Sequence, residues 1–94
     1  MLLITGSASP LPDARDKLIA AAIAVSESTQ QDDGCISYTF AAALDGEEII
    51  SVELWRDRAA LAAHMNHDHT RQFLADLEGV LVEVPVMHET ELEV

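Results

Sequence analysis

The chain of 94 residues is poor in the residues that several large classes of protein require. Its single cysteine, Cys35, cannot form an intramolecular disulfide, and five basic against seventeen acidic residues give a formal charge of −12. A field of that sign repels nucleic-acid backbones and anionic lipid surfaces. No apolar run reaches the roughly 18 residues of a membrane span, and the opening MLLITGSASP lacks the basic segment of a signal peptide. We therefore expect a cytoplasmic protein without nucleic-acid or membrane partners.

Aromatic residues are also scarce, four in all, which leaves little to stack against a flavin. The sequence contains no phosphate-binding loop, no dinucleotide glycine pattern after a strand and no nucleophile elbow. An enzyme with this sequence would draw its chemistry from the substrate and a few acid–base groups. The apolar fraction of 49% is ample for a folded core, and the length suits one domain spanning residues 1–94.

Hydrophobic periodicity predicts four strands and two helical regions, the second in two pieces. The expected strands are Leu2–Thr5, Cys35–Leu44, Glu47–Trp55 and Val80–Val94, and the expected helices are 13–29, 58–65 and 69–77. This β-α-β-β-α-β order predicts an α+β, ferredoxin-like fold with one antiparallel sheet and its helices on one face. Pro85 places the last strand at an edge or a bulge. The other face of the sheet needs a cover, and we expect a second copy of the chain to supply it.

The dipeptide Asp45-Gly46 is a strong hairpin signal between the second and third strands. A two-residue turn there sets Tyr38 opposite Glu53 and Ile36 opposite Trp55, all on one side of the sheet. The predicted register therefore gathers a tyrosine, a glutamate and a tryptophan in one patch.

Three histidines follow the third strand within six residues, in the stretch VELWRDRAALAAHMNHDHTRQFL. Helical spacing aligns His64 with the apolar Leu61 and aligns His69 with Phe73, whereas His67 falls on neither stripe and is expected in solvent. Two inward histidines beside a sheet can supply general acid–base chemistry near neutral pH. The plainer alternative is that both are core or interface histidines with satisfied hydrogen bonds.

A zinc site is a further interpretation of the same stretch, because His64-x-x-His67-x-His69 has suitable residue types and Asp68 could add an oxygen ligand. Structural zinc sites normally include cysteines, however, and His64 and His67 straddle the end of a predicted helix. The His-Glu-x-x-His pattern is absent. We therefore assign no metal ligands from the sequence.

Three stretches within residues 33–77 match a known pattern: DDGCISYTF, VELWRDRAALAAHMNHDH and FLADL. Together they resemble the antibiotic biosynthesis monooxygenase domain family, in particular its quinol-monooxygenase-like members within the dimeric α/β barrel superfamily. Family members show Gly-Cys-x-x-Tyr on the second strand, Glu-x-Trp at the end of the third, and Ala-Leu-x-x-His with another His five residues later. The matching positions are Gly34, Cys35, Tyr38, Glu53, Trp55, Ala60, Leu61, His64 and His69.

The resemblance implies a homodimer in which each sheet covers the free face of its partner. It also implies an oxygenase that needs no flavin, haem or metal cofactor and takes a small aromatic substrate, such as a quinol or an anthrone, together with dioxygen. The substrate is deprotonated, and its anion reduces dioxygen directly in a dry pocket. By analogy, His64 is the catalytic base, and the substrate-binding residues are Tyr38, Trp55 and His69. Glu53 would hold a partner across the strands or the dimer interface.

The motif marks the fold better than the reaction, because related domains include haem-degrading enzymes, isomerases and proteins of no known activity. The haem-degrading branch of the family has an asparagine on the first strand and a histidine further along the second helical region. In this chain Leu2–Ser9 contain no asparagine and Phe73–Leu77 contain no histidine. The alternative function is therefore a small-ligand-binding or isomerising dimer of the same fold.

Overall fold

The computed structural model describes residues 1–93 of the chain. Its elements are β1 (Leu2–Ala8), α1 (Arg15–Thr29), β2 (Cys35–Ala42), β3 (Ile49–Trp55), α2 (Arg58–Met65), α3 (Asp68–Asp76) and β4 (Val86–Glu91). The strands form one antiparallel sheet in the order β2-β3-β1-β4. The predicted ferredoxin-like α+β fold is thereby confirmed. None of the helices within this range is long and apolar enough to cross a membrane.

The predicted hairpin register is confirmed over most of the β2–β3 pair. Tyr38 lies opposite Glu53 and Phe40 lies opposite Ser51. The two strands end before the predicted turn, but Ala43 still donates its backbone N–H to the carbonyl of the residue opposite, at 3.0 Å. The register predicted from Asp45-Gly46 therefore holds from Ser37 to Ala42.

The register prediction is wrong at the start of β2. An irregularity between Cys35 and Ser37 places Cys35, not Ile36, opposite Trp55. The extra residue is a β-bulge, which leaves the Ile36 side chain about half exposed instead of packed against the indole. Alternation of polar and apolar residues does not reveal this bulge, because it lies at the start of the strand and leaves too few residues before it to show a pattern.

The last predicted strand is much shorter than expected. β4 begins only after Pro85, whose missing N–H and constraint on the preceding residue keep the ladder from extending backwards. The preceding segment pairs elsewhere, as Val82 donates its N–H to the Ser9 carbonyl at 2.9 Å. The edge position of β4 agrees with the prediction, and Val94, the predicted strand end, lies outside the described residues.

The helices cover one face of the sheet, and the core lies there. Strand residues that point to this face alternate with outward ones and are buried; they are Leu2, Ile4, Tyr38, Ile49, Ser51, Glu53 and Trp55. Glu53 and Ser51 are polar side chains in that layer, which marks this part of the core as unusual. The opposite face carries apolar side chains such as Val52 and Val86, 39% and 51% exposed.

Helices α2 and α3 are separate pieces joined by a tight turn, as the sequence predicts. The Asp57 carboxylate caps α2 by accepting the Ala60 N–H at 2.8 Å. At the other end of α2, the Thr70 hydroxyl of α3 donates to the His64 carbonyl at 2.6 Å. This bond brings the last turn of α2 against the first turn of α3, so that His64 and His69 are neighbours.

Candidate active site

The sheet, the helices and the segment before β4 border a partly open cavity of about 450 Å³. That volume lies within the range of small-molecule sites, about 300–1,000 Å³. Most of its wall is apolar, formed by residues such as Ile4, Leu18, Phe40, Leu61 and Phe73. The polar groups on its wall are Ser7, Tyr38, Ser51, Glu53, His64, Thr70 and Glu89. A small aromatic molecule would therefore meet a mostly apolar surface with a few polar groups.

His64 is the titratable group on this wall that pairs with a buried carboxylate. Its ring is 3% exposed, and Nδ1 lies 2.8 Å from Oδ2 of Asp32, whose side chain is 5% exposed. Asp32 comes from the turn after α1, which crosses behind the end of α2. The pair is thus assembled from two segments that are distant in the sequence.

The protonation of this pair follows from its surroundings. Burial by itself would raise the pKa of Asp32, but hydrogen bonds from His64 and His69 outweigh burial and hold that pKa below its usual value. An ionised carboxylate only accepts hydrogen bonds, so Nδ1 of His64 carries a proton and donates it. Burial lowers the pKa of His64, although Asp32 opposes the shift. The neutral imidazole therefore keeps a free lone pair on Nε2.

Asp32 is shared by three histidines. Nε2 of His69 lies 3.0 Å from Oδ1, and Nε2 of the more exposed His67 lies 3.7 Å from the same oxygen. On the cavity side, the Thr70 hydroxyl oxygen lies 3.2 Å from Nδ1 of His64. The carboxylate thus lies between His64, which borders the cavity, and two histidines that reach solvent.

Trp55 lies behind the histidine. Its indole is fully buried, its ring centre is 4.7 Å from that of His64, and its Nε1–H donates to Glu53 at 3.0 Å. Tyr38 packs edge-on against Trp55, with 6.5 Å between ring centres, and lies 5.5 Å from the His64 ring. Burial raises the pKa of both Glu53 and Tyr38, so the tyrosine stays protonated and the glutamate resists ionisation.

The four residues predicted for the site lie close together, but only two of them reach the cavity. Tyr38 and His64 line it, whereas Trp55 lies beneath His64 and His69 contacts the site through Asp32. His69 instead borders a separate cleft of about 150 Å³ beside α1. Glu53, predicted to hold a partner across the strands or the dimer interface, instead accepts a hydrogen bond from Trp55 on its own strand, two residues away.

Asp32 is the residue that sequence reasoning missed. In the sequence it is one of two adjacent aspartates that end a helix, and nothing local distinguishes it from Asp33, whose side chain is 93% exposed. Gly34 follows with φ +81°, and a Cβ there would collide with Ala60. This close approach of the turn to α2 brings Asp32 into contact with His64, and no pattern in the sequence predicts that contact.

The family model described as antibiotic biosynthesis monooxygenase matches residues 1–76, from β1 to the end of α3. The chain belongs to this family. A relative in Mycobacterium tuberculosis named "Putative monooxygenase Rv0793" is 38% identical over 77 residues, which cover 82% of this chain and 75% of the relative. Family membership supports a monooxygenase-like function in general terms and leaves the substrate open.

Solved structures of family members share the fold closely. The structure of Rv0793 from Mycobacterium tuberculosis superposes with a TM-score of 0.93 at 28% identity and covers 98% of this chain and 94% of its own. A structure named "putative antibiotic biosynthesis monooxygenase" from Deinococcus radiodurans gives a TM-score of 0.91 at 19% identity, covering 99% of this chain and 93% of its own. One from Nitrosomonas europaea gives 0.93 at 16% identity, covering 97% of each chain. At these last two identities the likeness shows the fold alone.

Proposed function

We propose that the protein is a cofactor-independent monooxygenase that oxidises a quinol, an anthrone or a similar electron-rich aromatic with dioxygen. The observation that supports this most directly is the buried Asp32–His64 pair on the wall of a mainly apolar cavity. A base with a free lone pair and a dry pocket are what such a reaction requires of the protein.

In the proposed reaction, Nε2 of His64 accepts the proton of a substrate hydroxyl or of an acidic ring carbon. The Nδ1–H bond to Asp32 then stabilises the imidazolium, because the carboxylate faces a full positive charge. The substrate anion supplies electrons to dioxygen. One oxygen atom enters the product and the other leaves as water, with all four electrons drawn from the substrate, so no further reductant is needed.

The other predicted site residues support the base or the anion. Tyr38 lines the cavity and keeps its phenolic proton, which makes it a hydrogen-bond donor for substrate oxygen. Trp55 fixes the plane of the His64 ring by packing against it. His69 holds Asp32 from the solvent side. We propose Tyr38 as a substrate-binding residue and the other two as positioning residues.

The active form in this proposal is a homodimer. The free face of the sheet carries Leu3, Val52, Leu54 and Val86, and half-exposed apolar side chains on a four-stranded sheet favour a cover. A second copy would pack its own free face there. Light scattering after size-exclusion chromatography should give twice the chain mass, and Val52→Glu should shift the mass toward that of one chain.

The function is tested by oxygen uptake with chelator-treated protein and a panel of hydroquinones and anthrones, with mass spectrometry of the products. We expect uptake above autoxidation and one added oxygen atom per product, both lost in His64→Ala. Asp33→Asn is the control, because Asp33 is exposed and does not line the cavity. Uptake equal to the buffer rate across the panel would contradict the proposal.

An isomerase is a second candidate, favoured by one feature of the same cavity. His64 can accept a proton, while Glu53 and Tyr38 line the same space and are held toward their protonated forms. A base and an acid around one substrate suit proton abstraction and return. Anaerobic exchange of substrate hydrogen with deuterated water, without oxygen uptake in air, would favour this function over the oxygenase.

A further inference from the structure

The cluster around Asp32 has the composition of a transition-metal site. One ligand atom from each of Asp32, His64 and His69 lies within 4.8 Å of the others. Two imidazole nitrogens and a carboxylate oxygen are the donor set that Zn²⁺ and related divalent ions accept in proteins. The aspartate and His64 are already buried and positioned, so binding would require little ordering of side chains.

His67 offers a fourth ligand from the solvent side. Its Nε2 lies 3.7 Å from Asp32, and its ring stacks on that of His69 with centres 5.0 Å apart. Tetrahedral zinc with bonds of about 2.0–2.1 Å places its ligand atoms roughly 3.3 Å apart. The distances from His64 and His69 to Asp32, 2.8 and 3.0 Å, are close to that spacing, although they run to different carboxylate oxygens. His67, at 3.7 Å, lies outside the group of three mutually close ligand atoms, so its exposed side chain would have to move inward to complete a tetrahedral site.

We propose that Asp32, His64 and His69, with His67 as the outer ligand, bind one divalent transition-metal ion such as Zn²⁺, and that the bound ion inhibits the base. The ion can enter from solvent, because the His67 and His69 side chains are 45% and 25% exposed. The negative charge of the chain, −12, attracts cations to it. Asp68, the oxygen ligand considered from the sequence, instead pairs with Arg71 on the surface.

Inhibition follows from the proton count of His64, and this part rests on the proposed function. A neutral imidazole has one proton. While Nδ1 donates that proton to Asp32, Nε2 has a lone pair and can accept a proton from the substrate. When a metal ion takes the Nδ1 lone pair, the proton must lie on Nε2. The ion binds without net release of a proton from this ring, and His64 can then donate to the cavity but cannot accept.

Metal binding is tested directly with tag-free protein stripped by chelator. Zn²⁺ titrated in a calorimeter should bind once per chain, and Co²⁺ should give the visible absorption of a tetrahedral N/O site. His69→Ala and Asp32→Asn should each weaken Zn²⁺ binding by more than about tenfold, the loss that even the hydrogen-bonded partner of a metal ligand typically causes. His88→Ala, which alters the remaining histidine, should bind as the unaltered protein does.

Failure to fold cannot obscure this test, because His67 lies on the surface and His67→Ala should weaken Zn²⁺ binding several-fold in a protein with unchanged circular dichroism. Absence of Zn²⁺ binding in the unaltered protein would overturn the proposal. So would affinity that survives both His69→Ala and His67→Ala, which would show adventitious surface binding.

The inhibitory effect has its own readouts. Nitrogen-15 NMR of labelled histidine should show the His64 proton on Nδ1 in the metal-free protein and on Nε2 with Zn²⁺ bound. Oxygen uptake should fall when Zn²⁺ is added and return with chelator. Uptake that is unchanged at saturating Zn²⁺, with the tautomer also unchanged, would overturn inhibition. If no substrate gives uptake, the calorimetry and the NMR still decide the site independently of the oxygenase.

Discussion

Replacement of Asp32 by asparagine is the sharpest test of the proposed base, because the chain contains its own control one residue away. Asp32 is buried against three histidines, whereas Asp33 is exposed and makes only a surface pair with Arg56 at 3.4 Å. Asp32→Asn keeps the volume of the side chain and removes its charge. Asp33→Asn makes the same chemical change outside the site.

The magnitude follows from the bond that the reaction strengthens. When His64 accepts the substrate proton, its Nδ1–H bond to Asp32 joins two full charges, and a hydrogen bond to a charged group contributes about 1.5–3 kcal/mol. At about 1.4 kcal/mol per factor of ten in rate, the loss of that bond should lower kcat roughly 10- to 150-fold. His64→Ala removes the base itself and should cost about 10²–10⁴-fold. Asp32→Asn should therefore fall between the control and His64→Ala.

The assay is kcat for oxygen uptake with a substrate that the unaltered protein oxidises, at matched fractions of folded protein. We expect Asp33→Asn to stay within about twofold, since surface pairs contribute little. If Asp32→Asn were as active as Asp33→Asn, the pair would be structural and the base would have to be sought elsewhere. A loss confined to KM would likewise show that Asp32 shapes the cavity without supporting proton transfer.

Two substitutions and one pH profile test other parts of the site. Thr70→Val removes the hydroxyl that donates to the His64 carbonyl at 2.6 Å and should lower the free energy of unfolding by about 1–3 kcal/mol, whereas Thr70→Ser should restore it; equal urea midpoints would contradict this. Glu53→Gln keeps an acceptor for the Trp55 N–H. Because the pKa of Glu53 is raised in the fold, its ionisation costs stability that grows as pH rises above 4.5, so Glu53→Gln should stabilise at pH 8 and change little at pH 4; the opposite trend in melting temperature would refute the assignment. Because burial lowers the pKa of His64 in the free protein, the acid limb of the kcat/KM–pH profile should have its midpoint below 6.5, and a midpoint above that value would contradict His64 as the base.

Much of the fold could be predicted because its signals are local. Helix periodicity and the hairpin signal at Asp45-Gly46 each depend on residues a few positions apart, and the structure contains the predicted helices and most of the predicted hairpin register. The strand predictions were wrong at two places where a single residue changes how the strands pair. The bulge at Ile36 and the shortening of β4 at Pro85 both depend on which partner strand is available, and that strand cannot be predicted from the sequence alone.

The candidate site was predictable only in part, for the same reason. Helical spacing correctly predicted that His64 is buried, and the hairpin register correctly predicted that Tyr38 lies opposite Glu53. The apolar spacing of α3 did not predict that His69 would contact Asp32 instead of the cavity. A helix face does not specify which of several neighbouring elements it packs against.

The sequence by itself determined the order of the elements, the family, and the identity of the histidine that faces the core, since each follows from short-range patterns of side chains. Only the tertiary structure decided which carboxylate that histidine meets. Asp32 and Asp33 are chemically identical and adjacent, and they differ only because the turn at Gly34 packs against α2 and buries one of them. The protonation of His64 depends on that contact, because burial and a neighbouring charge shift a pKa away from the value that the residue type alone would give.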